Sequence, residues 1–133
     1  DPLTGKIVVG NEGKPVRIHG TLKKTRALGW YLPEYSHAQV SMNLIDIDVT
    51  PVHEAYNEVV RKATDLGIKV TGSEIVGLIP LRSMLSAGEF YLNQKEQSID
   101  IPDNEIIQVA IEELGLNDLY PFYPEKKIIE YLI

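Results

Sequence analysis

"ALGWYLPEYSHAQVSMNLIDIDVT", Ala27 to Thr50, decides how this chain folds. Before "PEYSH" runs an extended, aromatic-rich segment. After it, Val40, Met42, Leu44, Ile45 and Ile47 lean toward alternation, the period of a strand with one face toward a core. Pro33, Ser36 and the short polar spacer between the two segments fit a turn, so the stretch predicts an antiparallel hairpin. Helices follow. In "TPVHEAYNEVVRKATDLG" (50–67) Thr50 is placed to cap, Pro51 suits a first turn that needs no N–H, and Gly67 suits a left-handed stop. Val52, Ala55, Val59 and Ala63, flanked by Tyr56 and Val60, form the inward stripe of that helix. "IKVTGSEIVGLIP" (68–80) reads as a further strand, and "PLRSMLSAGEFYLNQ" (80–94) as a second helix opened by Pro80. A third helix starts near Asp103 and stops at Gly115, and "YPEKKIIEYLI" (123–133) predicts a short terminal one. Strands that pair locally, with helices segregated over them, imply an α+β two-layer sandwich with a largely antiparallel sheet and helices on one face. The ferredoxin-like type is its commonest small form.

The chain has 133 residues, 44% of them hydrophobic, which suffices for one sizeable core and not for two. Residues 1–13, with Gly5, Gly10 and Gly13, read as a flexible lead, and 14–133 as the single domain. No apolar run approaches the roughly 20 residues of a membrane-spanning helix. There is no cysteine, which removes disulfides, thiolate-bound zinc and thiol nucleophiles together and is compatible with a cytoplasmic location. The chain starts at Asp1 without a methionine or a signal-like segment, so a piece of a longer protein is the expectation.

Charge is uneven. The formal net charge is -6, yet Gly13 to Pro33 holds Lys14, Arg17, Lys23, Lys24 and Arg26 with no Asp or Glu. A small positive island in an acidic chain suits a small anion and argues against a protein that coats nucleic acid. If the segment is extended, Lys24 and Arg26 share one face and Lys23 takes the other. Composition equally supports an edge strand whose lysines discourage sheet association.

Few other residues carry chemistry. His19, His37 and His53 are far apart, with no metal-ligand spacing, so no metal site is expected. His53, in a first helical turn, reads as a partly exposed structural residue, as does His37 in a turn; His19 borders the island. "GSEIVG" (72–77) misplaces the second glycine of a nucleophile elbow, leaving Ser73 without a catalytic reading. Gly72 and Gly77 instead suggest close approach of a backbone or ligand, with Glu74 between them able to orient a ligand amine or simply to sit at a rim. No phosphate loop or dinucleotide fingerprint exists.

Four stretches taken together, "GTLKKTRALGWYL" (20–32), "AQVSMNLIDIDVTPVHEAY" (38–56), "VTGSEIVGLIPLRSML" (70–85) and "LGLNDLYPFYPEKKIIEYLI" (114–133), resemble the C-terminal half of the formiminotransferase domain family. That transferase domain is also found fused to a cyclodeaminase. The resemblance implies transfer of a formimino group from N-formimino-glutamate to tetrahydrofolate during histidine breakdown, in a domain of two ferredoxin-like halves sharing a charged folate tunnel. It assigns folate binding to Gly20, Thr21, Leu22, Lys23, Lys24, Thr25, Arg26, Ala27, Leu28 and Gly29. Within that segment Gly20, Leu22, Lys23, Lys24 and Gly29 match the family pattern, Thr21 stands where relatives carry arginine, and Arg26 is at a variable position. Trp30 and Tyr31 beside it are candidates to cover a flat ring, with core packing the expected job of at least one. The family's general-base histidine accompanies a His-Pro-Arg triplet in the N-terminal half, and no such triplet occurs here. The expectation is therefore no catalytic residue in this chain, no turnover by it alone, and the N-terminal subdomain as its partner, with small-molecule substrates and neither nucleic acid nor membrane. A stand-alone folate- or anion-binding or regulatory module that pairs with a separate N-terminal half is the alternative, and a purely structural dimerisation domain the third. Self-association of copies stays open.

Overall fold

The computed structural model describes Asp1 and residues 3–133. Thr25–Leu32 forms β1 and His37–Leu44 forms β2, an antiparallel pair in which Arg26 faces Asn43, Leu28 faces Ser41, Trp30 faces Gln39 and Gly29 faces Val40. The hairpin is as expected in kind but ends at Leu44. Beyond it the chain turns, and the Thr50 N–H donates to the Asp46 carbonyl at 3.0 Å. Helices follow as α1 (Val52–Asp65), α2 (Leu81–Gln94), α3 (Asp103–Glu113) and the single turn α4 (Pro124–Lys127), which runs into a 3-10 turn at Ile129–Tyr131. The class is α+β in two layers.

Two expectations about these elements are corrected. Thr50 does not cap α1: Pro51 occupies the N-cap with no side-chain hydrogen bond, and the Thr50 hydroxyl serves another purpose described below. Residues 68–80 form no strand, so the sheet has two strands among the described residues. A strand needs a partner ladder for its backbone groups. Here the carbonyls of Ile75 and Gly77 accept instead from the Lys127 ammonium at 2.9 and 3.3 Å, and the Ser73 N–H donates to the Gly115 carbonyl. Gly77 turns to φ +78°, out of the extended region. Only Ile79 keeps a strand-like contact, a parallel bridge to Ile128. Gly72 is the close approach its sequence suggested, since a Cβ there would lie 2.5 Å from the Gly115 carbonyl oxygen.

The core lies among the helices. Met84, Ala87 and Tyr91 of α2 pack on Ile107, Ala110 and Ile111 of α3, and Ile79, Leu114, Phe122 and Ile128 close the cluster. At one apolar side chain every third or fourth residue, α2 and α3 each present one stripe, and the two stripes meet. Their burial is worth roughly 1.5–3 kcal/mol for each large side chain. The hairpin contributes no member of that cluster. Trp30 and Tyr31 are 42% and 62% exposed, so neither takes the core position expected of at least one of them. Among the described residues, no helix is long and apolar enough to cross a membrane.

Candidate functional site

Within the cationic island Lys23 and Lys24 lie in a tight turn, and Arg26 lies in the strand that follows. Lys24 sits at φ +49°, and β1 begins only at Thr25, so the alternation that would separate Lys23 from Lys24 does not apply to them. The turn is tied down at several points. The Lys23 carbonyl accepts from the Thr25 hydroxyl at 3.0 Å and from the buried Thr50 hydroxyl at 2.6 Å, and the Lys24 carbonyl accepts from the Ile45 N–H at 2.8 Å. Upstream, the Thr21 hydroxyl donates to Glu58 of α1 at 2.6 Å. Glu58 is itself held by two Arg61 hydrogen bonds, at 2.8 and 2.9 Å. Arg61 foremost, then Thr21, holds the Glu58 carboxyl down at about 2, so it is ionised at any ordinary pH. With the backbone spent on these ties, the side chains of Lys23, Lys24 and Arg26 remain free of ion pairs among the described residues.

Beside this turn, one face of the hairpin carries a groove of about 280 Å³ lined by Arg26, Leu28, Trp30, Ser41, Asn43 and the chain at Ala27. The register brings β1 and β2 residues side by side across it, Arg26 with Asn43 and Leu28 with Ser41. One pair further along, Gln39 stands opposite Trp30 and donates from Nε2 to Glu74 at 3.1 Å. Near Glu74, the Tyr35 and Tyr120 hydroxyls are hydrogen-bonded with their rings edge to face. The Tyr120 bond foremost, then its charge, with Glu74 and Glu34 adding less, pushes the Tyr35 phenol up. The face therefore runs from a cation at the Arg26 end, past an exposed indole, to a carboxylate at the Glu74 end. Such an array has the chemistry to bind an elongated ligand that is anionic at one end and a hydrogen-bond donor at the other.

The remaining sequence candidates disperse. Gly29 lies within β1 opposite Val40, Leu22 is half-buried in the turn, and Gly20 is exposed before it. His19 and His37 are exposed. His53 is not the partly exposed residue expected: it is 8% exposed, stacked on Phe90 at 4.6 Å between ring centres, and its Nδ1 has no hydrogen-bond partner among the described residues. Burial pulls its pKa down, against a small opposing effect of Glu54. Ser73 donates from Oγ to the Leu114 carbonyl at 2.6 Å, a structural use. A second groove of about 190 Å³ between Ile47, Pro51 and α2 is crossed by the Arg82–Asp48 ion pair. Sequence reasoning missed Gln39, Ser41 and Asn43. The alternation that put Val40, Met42 and Leu44 on one face already put these three on the other.

Comparison with known proteins places the chain in a family. The sequence pattern described as "Formiminotransferase domain" matches residues 6–133, beginning inside the stretch read as a lead. The chain is 42% identical over 125 residues to the formimidoyltransferase-cyclodeaminase of Gallus gallus, covering 94% of the chain and 23% of that protein. To the formimidoyltransferase-cyclodeaminase of Sus scrofa it is 46% identical over 114 residues, covering 86% of the chain and 21% of the relative. To the glutamate formimidoyltransferase of Streptococcus pyogenes serotype M1 it is 30% identical over 77 residues, 58% of the chain and 26% of the relative. The chain thus spans about a fifth to a quarter of the length of the curated relatives it matches.

Proposed function

The chain belongs to the formiminotransferase domain family, and from that premise we propose that it supplies the folate-binding wall of a transferase that moves a formimino group from N-formimino-glutamate to tetrahydrofolate. One observation carries this reading: a turn whose backbone is tied to Ile45 and Thr50, in the connection between β2 and α1, presents Lys23 and Lys24, unpaired among the described residues, next to a groove that contains Arg26 and Trp30. Tetrahydrofolate ends in one or more glutamates and formimino-glutamate carries two carboxylates. Fixed cations in an otherwise acidic chain attract such anions and orient them, while the surrounding negative charge disfavours bulk polyanions. Because the turn is fixed before the ligand arrives, little ordering entropy opposes binding.

The residues proposed to contact folate are those of the Gly20 to Gly29 segment. Proton transfer is assigned to the N-terminal subdomain, the partner that completes the site. The reaction then belongs to histidine breakdown in the cytoplasm. Folinate is titrated calorimetrically into the protein expressed at the length its gene encodes, and into its Lys23→Ala/Lys24→Ala variant, at two salt concentrations. The variant is expected to bind at least tenfold more weakly and with a shallower salt dependence. Unchanged affinity and unchanged salt dependence overturn the reading. The chain purified alone is expected to show no turnover of formimino-glutamate, and measurable turnover would place the base in this half.

A further inference from the structure

The hairpin groove has a direction, and its two ends differ in chemistry. At one end Arg26 stands beside Asn43, with the Lys23–Lys24 turn immediately before it in the chain. Its other end is marked by Trp30, Gln39 and Glu74, where Gln39 occupies one carboxylate oxygen of Glu74 and no cation pairs with that carboxylate among the described residues. Ser41 lies between, opposite Leu28, and neither its side chain nor that of Asn43 makes a hydrogen bond among the described residues. Trp30 is four residue steps along the strand from Arg26, a span of about 13 Å.

We infer that Glu74, positioned by Gln39, receives the amino-pyrimidine edge of the folate, with the pteridine ring over Trp30 and the glutamate carboxylates at Arg26 and the lysine turn. This rests on the folate reading and adds to it a direction and a specificity-determining residue outside the Gly20 to Gly29 segment. The 2-amino group and N3–H of a pteridine donate two parallel hydrogen bonds. A carboxylate accepts such a pair, and a second carboxylate oxygen with free lone pairs is what the Gln39 bond leaves on Glu74. The opposite orientation would set the ligand's carboxylates against Glu74 and its donor edge against Arg26, unfavourable at both ends. Ser41, mid-groove, and Asn43, toward the Arg26 end, fit the benzoyl amide that joins the two parts.

The test uses folinate and an analogue whose 2-amino group is replaced by methyl, each titrated into the protein at its encoded length. The unaltered protein is expected to bind the analogue about tenfold more weakly, the scale of a lost hydrogen bond to a charged acceptor. Glu74→Gln, an exposed change that still accepts from Gln39, is expected to bind folinate about tenfold more weakly and to lose discrimination between the two ligands. Arg26→Ala is expected to weaken both ligands by the same factor and keep the discrimination. If Glu74→Gln retains full discrimination, or Arg26→Ala abolishes it, the direction is wrong, even where folinate still depends on Lys23 and Lys24. Folinate binding that ignores Lys23 and Lys24 is a separate result and falls on the folate reading itself.

Discussion

Thr50 shows how one hydroxyl shapes the site. It is buried, leaves the α1 N-terminus without a side-chain cap, and donates instead to the carbonyl of Lys23, 27 residues earlier. Thr50→Val keeps the volume and removes that donor, so the unfolding free energy is expected to fall by about 1–2 kcal/mol in urea denaturation. Thr50→Ser should retain most of the stability, because the donor stays. The same Val variant should bind folinate more weakly, since the Lys23 carbonyl loses its tie to the segment before α1. His53 makes a different statement. Its folded pKa is depressed by burial, so below the ordinary histidine value of about 6.5 the unfolded chain takes up a proton that the folded chain resists. Stability is thus complete above about pH 6.5 and declines as the pH falls below it. In His53→Phe, which keeps a ring against Phe90 and removes both the proton and the unpartnered Nδ1, the decline in denaturation midpoint between about pH 7.5 and 5.5 should shrink. An unchanged decline would assign that pH dependence to other groups. Glu58 does not titrate in this window, because Arg61 and Thr21 keep it ionised down to about pH 2.

Among the elements, the α2–α3 contact carries most of the fold, and Gly88 sets its closeness. A Cβ at Gly88 would come 2.1 Å from the Ile106 carbonyl oxygen, a backbone atom that cannot step aside without moving α3. Gly88→Ala gains helix propensity, worth about 1 kcal/mol at most, and forces the helices apart at a cost of roughly 1–3 kcal/mol or more. The clash wins, and a lower thermal midpoint with retained helical circular dichroism is the expected result. These helices were legible because their stripes recur at three and four residues and their ends carry Pro51, Pro80 and Gly115. The hairpin was legible from alternation and from the turn at Pro33 to Ser36. Residues 68–80 were not, because an apolar, glycine-containing run looks like a buried strand whether or not a neighbour exists to pair with it. What captures its carbonyls is Lys127, 50 residues from Gly77, a contact no local pattern encodes. The cationic turn was legible as charge and not as geometry. Its positive φ at Lys24 depends on ties from Ile45 and Thr50, and alternation alone would have made a strand of it.

At the scale of the whole molecule, order and charge are distributed in opposite places. The apolar cluster sits between α2, α3 and the C-terminal turns, whereas the cations and the groove sit on a hairpin that adds no member to it. An isolated two-stranded hairpin is marginal in water, and this one is fastened at a few polar points: Thr21 to Glu58, Thr50 to Lys23, Gln39 to Glu74 and Tyr35 to Tyr120. Polar ties in water stabilise by only about 0.5–1.5 kcal/mol each, so they hold position without matching the protection of a buried core. Local opening should therefore be far cheaper for β1 and β2 than for α2 and α3. Hydrogen exchange on the chain alone is expected to show slow amides at Met84 to Leu92 and Ile107 to Ile111, limited by global unfolding. The amides of Thr25 to Leu32 and His37 to Leu44 should exchange at least tenfold faster through local opening. In the protein at its encoded length, saturating folinate should slow the hairpin amides selectively and leave those of α2 and α3 nearly unchanged, because the ligand adds its binding free energy only to openings that destroy its site. Equal protection of hairpin and helices in the chain alone would mean that the two layers open as one unit, and slowing confined to α2 and α3 would put the ligand somewhere other than the hairpin.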